Sequence, residues 1–266
     1  FALRNLNTTC EATLNWSPVV GFGATLAAQF NPERLMLAGA LPLAIPRSAW
    51  KVSASAKAKP AADFRHDITV RGEASSAQLR LEQEGRTVTL GPTQVRVEQF
   101  AMTPRGTLAD LAVTANAVRF SAAWPASDLR ARVRLDGDRV RSEGSVLLGG
   151  EEAVRFAGSH TQARACGQAT LTAQHALATL GRRLQPRPPA LAPLDLAAGA
   201  ADANFEVDWC DAKVAAKGTL HLRDARIGWE KAQAQGVQAA LQLDGWQPLR
   251  GSIQLSATQG QLATGS

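Results

Sequence analysis

Apolar and polar side chains alternate along most of this chain. The pattern is clearest between residues 205 and 255, in Phe205-Glu-Val-Asp-Trp209, Gly218-Thr-Leu-His-Leu222, Leu241-Gln-Leu-Asp-Gly245 and Gly251-Ser-Ile-Gln-Leu255. A period of two sends successive side chains to opposite faces of a strand, so each piece predicts a strand with one apolar and one wet face. Four such pieces broken by Gly, Asp or Pro predict an antiparallel meander with a continuous apolar surface.

The same signal runs through the middle of the chain. Ile68-Thr-Val-Arg71, Ala77-Gln-Leu-Arg-Leu-Glu82, Thr87-Val-Thr-Leu90 and Gln94-Val-Arg-Val-Glu98 predict four strands, with turns at Glu84-Gly85-Arg86 and Gly91-Pro92. A change of phase between Leu111–Ala117 and Val118-Arg-Phe120 predicts a bulge. Leu129 to Leu135, Arg139 to Leu148, Ala153 to Gly158 and Gln168 to Ala173 follow as strands, with hairpin signals at Asp136-Gly-Asp138 and Gly149-Gly150. Before residue 60 the pattern is weaker. Strands are expected at Ala12 to Trp16, Gly23 to Phe30 and Leu35 to Leu43, and the Ala/Lys/Ser-rich Lys51 to Pro60 reads as an exposed connection or an edge strand.

One helix is expected, over Gln174 to Leu184, where Leu177, Leu180 and Leu184 recur at helical spacing and Arg182 and Arg183 suit the last turn. Pro186, Pro188, Pro189 and Pro193 then forbid helix and sheet pairing. The chain therefore reads as a first β segment over 1–173, a short helix with a Pro-rich connection over 174–193, and a second β segment over 194–266. A faint repeat links them: Leu135-Asp-Gly137 with Gly144-Ser-Val-Leu-Leu148 recurs as Leu243-Asp-Gly245 with Gly251-Ser-Ile-Gln-Leu255.

Composition narrows the reading. Of the chain's 266 residues 45% are hydrophobic but only 5% aromatic, with no Tyr, so Ala, Val and Leu supply most of the apolar surface. That suits the lining of a smooth wall better than a thick aromatic core. The net charge of +6 comes largely from Arg residues that alternate with apolar ones, as Arg130, Arg132 and Arg134 do, and marks a solvated strand face. Only Lys51, Lys57 and Lys59 form a local basic run, without interleaved aromatics, so no nucleic-acid partner is expected. The longest apolar run, Leu35 to Ile45, contains Gly39 and Pro42 and is about half the length a membrane-spanning helix needs. A chain starting at Phe1 and ending at Gly265-Ser266 reads as a segment of a longer protein, with any membrane anchor outside it.

Candidate chemistry is sparse. Cys10, Cys166 and Cys210 fall in no CxxC and near no His at metal spacing, so no metal site and no cofactor is expected. Cys166 with Cys210 is the preferred disulfide, and buried unpaired thiols are the alternative. His66, His160, His175 and His221 are dispersed; Asp63, His66 and Asp67 share a loop with a single His, and the Glu151-Glu152 pair reads as solvated turn charge. No hydrolase, zinc-protease or phosphate-loop motif occurs, so no catalytic residue is assigned. The six Trp residues fall mostly at predicted strand ends or beside Pro or Gly.

The second half has a wider likeness. Leu177 to Pro193, Leu194-Asp-Leu196, Phe205-Glu-Val-Asp-Trp209, Lys217-Gly-Thr-Leu-His-Leu222, Ile227-Gly-Trp229, Gly236-Val-Gln-Ala-Ala-Leu-Gln-Leu243, Pro248-Leu249 and Gln261-Leu-Ala-Thr-Gly265 together resemble the YdbH-like branch of the AsmA/TamB superfamily of Gram-negative envelope proteins. The likeness is best over 170–265, weaker over 68–165 and hardly present before 60. It implies a mainly β protein, an elongated and strongly curved antiparallel sheet whose concave apolar face is an open groove. It also implies a periplasmic bridge that conducts phospholipid between inner and outer membrane, anchored to the inner membrane by a part outside this chain and meeting envelope proteins at its ends. Phospholipid acyl chains are the expected partner. The groove lining is expected from Leu79, Leu81, Val88, Leu90, Val95, Val97, Val133, Leu135, Val146, Phe205, Val207, Leu220, Leu222, Leu241, Leu243, Ile253 and Leu255. A closed β-sandwich serving as an assembly scaffold of the envelope is the competing expectation.

Overall fold

The computed structural model describes residues 2–17, 21–37, 43–58, 68–83, 86–103, 106–121, 124–184, 192–210, 213–229, 232–246 and 249–262. In chain order the strands are β1 (Ala2–Ser17), β2 (Gly21–Leu37), β3 (Leu43–Pro46), β4 (Trp50–Ala58), β5 (Ile68–Ser76) and β6 (Leu79–Gln83). Then come β7 (Arg86–Leu90), β8 (Thr93–Thr103), β9 (Gly106–Val118), β10 (Ser127–Asp136), β11 (Arg139–Leu148), β12 (Glu151–Thr161) and β13 (Cys166–Ala176). Helix α1 (Leu177–Arg183) follows, then β14 (Leu194–Cys210), β15 (Lys213–Trp229), β16 (Ala232–Trp246), β17 (Leu249–Ser256) and β18 (Gln259–Leu262). Among the described residues all eighteen strands belong to one sheet.

That sheet is an antiparallel meander in which each pass of the chain lies beside the pass before it and the pass after it. Four passes are broken in two, β3/β4, β5/β6, β7/β8 and β17/β18, so eighteen strands make fourteen passes. The sheet does not close. Among the described residues β1 pairs only with β2, and β17 and β18 pair only with β16. Among the described residues no second sheet covers it, so the closed sandwich is not the architecture.

Several local expectations change. Lys51–Ala58 is an interior strand, paired with β2 on one side and β5 on the other. Ala and Ser differ too little in polarity to make its alternation visible. Gly91-Pro92 is not a hairpin turn but a break within one pass, after which the chain leaves β6 as its partner and takes up β5. Glu84 and Gly85, like the Asp63, His66 and Asp67 group and Pro186 to Pro189, lie outside the described residues. The helix begins three residues later than its Leu spacing suggests, because β13 runs on to Ala176. Nor do α1 and the prolines divide the sheet: β13 and β14 pair directly from Cys166↔Cys210 to Ala176↔Ala200. Asp136-Gly-Asp138 and Gly149-Gly150 do turn the chain, the latter as a two-residue connection with φ of 61° and 84°.

Two creases cross the sheet near the same ends of the strands. The first joins the breaks at 47–49, Ala77-Gln78 and Gly91-Pro92 to a bulge at Asn116-Ala117. There the Gly91 N–H donates to the Asn116 carbonyl at 2.8 Å, and the Asn116 N–H to that of Pro92 at 2.9 Å. Broken backbone needs partners, and side chains supply them. Thr93 Oγ1 donates to the Gly91 carbonyl, Ser76 Oγ to Gln78, Ser127 Oγ to Val118, and the Ala117 N–H donates to Asp128. The buried polar residues Ser48, Ser76, Thr93 and Ser127 are all found along this crease. Beyond it, β3, β6 and β7 fold back so that Ile45, Leu79 and Leu90 pack on Ala115 and Val118, with Leu81, Val88 and Leu129 at the margin.

The second crease runs through Gly199, Asp224 and Gly236, all at positive φ on adjacent strands (98°, 48° and 61°). A Cβ at Gly199 would lie 2.6 Å from the Ala225 Cα, so only glycine fits there. Leu177 of α1 is 2% exposed, in a cluster with Ala201, Ala225 and Val237. The short helix thus covers one margin of the β14–β16 surface.

The outer face is held by charge. Asp110 accepts from Arg132 Nε at 2.7 Å and Nη2 at 2.5 Å, with Arg134 Nε at 3.7 Å. Glu206 pairs with Lys217 at 2.9 Å, directly across β14 and β15, and Asp202 pairs with Arg223. The hydrogen bond from Arg132 is the main reason the Asp110 carboxyl titrates below the ordinary carboxylate value, and Glu206 raises Lys217. A depressed carboxylate pKa stabilises the fold above the unfolded pKa, and that contribution is lost as pH falls through the folded one. Asp110→Asn should therefore melt below wild type at pH 7. The gap should close as melts are repeated at pH values below the usual carboxylate range, and a gap that stays constant down to pH 2.5 would contradict this assignment.

Candidate functional site

The register decides which side chains share a face. One row runs Cys10, Ala28, Val52, Ala74, Val95, Val113 and Ala131 through directly opposed positions on β1, β2, β4, β5, β8, β9 and β10. It continues as Gly144, Phe156, Leu171, Phe205, Gly218, Leu243 and Gly251 on β11 to β17. The row crosses all fourteen passes without a charged, hydroxyl or amide side chain. At 4.7–4.9 Å per strand its path is about 60 Å long.

The neighbouring rows on this face are nearly as apolar. One contains Leu26, Ala54, Gly72, Val97, Leu111, Val133, Ser142, Gly158, Ala169 and Val207; another ends in Leu220, Leu241 and Ile253. Along β10 the inner residues Leu129, Ala131, Val133 and Leu135 are half-buried, while Arg130, Arg132 and Arg134 between them are exposed. With no layer above it among the described residues, this half-burial fits a sheet that curls towards its apolar side. Its accessible surface is 17433 Å², against about 11,000 Å² for a compact folded chain of 28.1 kDa. The apolar face is open.

Glycines make the curl possible. A Cβ at Gly144 would stand 2.2 Å from the Arg130 carbonyl oxygen and 2.7 Å from Phe156 Cζ. At Gly218 it would stand 2.4 Å from the Asn204 oxygen and 2.5 Å from Phe205 Cδ1, and at Gly167 2.4 Å from Trp209 Cζ2. An aromatic ring lies over each of these glycines and restores the apolar surface that the missing side chain leaves open. The repeated Gly-Ser/Thr-Val/Ile/Leu motif thereby has a physical meaning. Gly144, Gly218 and Gly251 all occupy the central row, with the hydroxyl residue facing outward.

Of the residues expected to line a groove, Val95, Val97, Val133, Leu135, Val146, Phe205, Val207, Leu220, Leu222, Leu241, Leu243, Ile253 and Leu255 share the apolar face. Ile253 and Leu255, on the edge strand β17, are 72% and 71% exposed. Leu79, Leu81, Val88 and Leu90 lie elsewhere, in the closed cluster beyond the first crease, because the chain breaks at Ala77-Gln78 and Gly91-Pro92 before reaching the row. Sequence reasoning missed Ala28, Val52, Ala74, Val113, Phe156 and Leu171; on β4 the small contrast between Ala and Ser left little signal to find the row.

Cys166 and Cys210 face each other at the ends of β13 and β14 and are disulfide-bonded; Cys10 is exposed and free. Trp209 stacks on His160 at 6.1 Å and donates its Nε1–H to His160 Nδ1 at 3.2 Å. His175 Nε2 donates to the Ala153 carbonyl, and His221 is exposed on the outer face. Glu151 pairs with Arg183 of α1, and Glu152 with Arg155 at 2.9 Å. Trp50 stacks on Phe30 at 6.2 Å, while Trp124 and Trp229 are exposed. Among the described residues no group of three or more His, Cys, Asp or Glu is placed to hold a metal ion, and no helix is long and apolar enough to cross a membrane. In comparisons with known proteins, no family model, no curated protein and no solved structure matches the chain.

Proposed function

We propose that this chain is a segment of a periplasmic bridge that conducts phospholipid between the inner and outer membranes of a Gram-negative envelope, without performing covalent chemistry. The central row carries the reading: it is an open apolar track across every pass of the sheet, about 60 Å long, with no polar side chain on it. Each acyl CH₂ moved from water onto such a surface gains up to about 0.8 kcal/mol. Because the row offers no hydrogen bond to break, a chain can shift from strand to strand with little change in energy. The head group stays in water at the open side and needs no pocket. The Cys166–Cys210 disulfide supports an oxidising compartment such as the periplasm. The resemblance to the YdbH-like branch supports the envelope setting, the anchor outside this chain and membrane-protein partners at the ends. An assembly scaffold without lipid remains the second reading, favoured only by the open edges of β1 and β17.

A photocrosslinking residue placed at Val113 or Leu243, on the row, should capture phospholipid detectable by mass spectrometry. The same residue at Lys217, on the outer face, should not. Leu243→Asp should reduce co-purifying phospholipid several-fold while leaving the β circular-dichroism spectrum intact. Equal labelling of both faces, or none of either together with lipid-free protein, would sink the proposal.

A further inference from the structure

On the outer face, polar side chains without a partner among the described residues are gathered beside the first crease. Gln29, Lys51, Ser75, Gln94 and Thr114 stand directly opposite one another across β2, β4, β5, β8 and β9. Asn31 and Asn116 flank that row at the first crease, and all of these residues line a cavity of about 530 Å³, with Trp50 in its wall. The volume lies within the ~300–1,000 Å³ of small-ligand sites.

Its chemistry differs from the rest of that face. Nearby, Glu73 pairs with Arg96, and Asp110 with Arg132 and Arg134. In the cavity no Asp or Glu is present, and the side chains of Gln29, Asn31, Lys51, Ser75, Gln94, Thr114 and Asn116 have no hydrogen-bond or ion-pair partner among the described residues. Amides and hydroxyls both donate and accept. A lining of this kind, with one cation and no anion, gives little hold to a metal ion or a polyphosphate. It matches a ligand that carries many neutral hydroxyls, each also donor and acceptor.

We propose that this outer-face cavity binds a neutral carbohydrate segment. The site lies on the face opposite the apolar row, so it neither depends on lipid conduction nor supports it. It would fix the bridge to a surrounding glycan while leaving the track free.

The test is saturation-transfer NMR on the full chain with chitotetraose, maltotetraose and isomaltotetraose, followed by titration of any binder. At least one should receive saturation, and Gln29→Ala/Gln94→Ala should weaken its binding at least tenfold. Gln242→Ala, on the same face but outside the cavity, should not. Ser75→Ala/Thr114→Ala removes the hydroxyls and provides the same reading should the first pair fail to fold. Absence of saturation transfer to all three sugars overturns the proposal, as does binding that neither pair weakens.

Discussion

Serine at both Cys166 and Cys210 is expected to lower the stability of the folded chain by about 4 kcal/mol, the cost in the chain-entropy account of releasing a loop of this size. The two cysteines are 44 residues apart in sequence. The bond ties the start of β13 to the end of β14, and the segment between them contains both strands, α1 and the Pro-rich connection. Without it, the unfolded chain regains the freedom of that whole segment. For a chain of this size the melting temperature should fall by about 8–16 °C. Reducing agent should lower wild type by the same amount and leave the double variant unchanged. A difference below about 1 kcal/mol would mean that the unfolded chain already keeps this loop nearly closed.

Gly218→Val should have a comparable effect, about 3 kcal/mol or about 6–12 °C in melting temperature. The new Cβ would be driven against the Asn204 carbonyl and the Phe205 ring, both within 2.5 Å, and the Asn204 oxygen belongs to backbone already paired in the sheet. Relief requires β14 and β15 to part or the curl to open. Gly23→Ala is the control, because nothing stands within 4 Å of its Cβ position. If both variants melt together with wild type, the glycines on the central row are not what permits the curvature. If Gly218→Val also loses phospholipid while remaining folded, curvature and lipid binding are linked.

Legibility in the sequence followed the strength of the local signal. The strands β10 to β13 and β14 to β17 were visible because Val, Leu and Phe alternate there with Arg, Glu, Thr and Gln, and the contrast between faces is large. Lys51–Ala58 was obscure because Ser, Ala and Lys alternate with small side chains that bury little area whichever way they point. Gly91-Pro92 reads as a turn because such a pair turns many chains. Here the same stiffness and missing N–H let one pass change partners between β6 and β5. The helix signal was sound for Leu177 and Leu180, but pairing with β14 extended β13 over the residues before them.

By itself the sequence determined that this is a β protein with two chemically different faces, that tight hairpins form at Gly137 and Gly149-Gly150, and that chemistry-bearing motifs are few. Those properties are local: a period of two, a pair of glycines, a missing spacing. Only the tertiary structure decided that Cys10, Ala131, Phe205 and Leu243 fall on one line, and that Leu79 and Leu90 do not. Register between strands depends on every bulge and break along both partners, and a slip of one residue would move a whole set of side chains to the other face. The curl likewise depends on what lies across from each glycine, as Phe205 lies across from Gly218, and that neighbour is set by the fold.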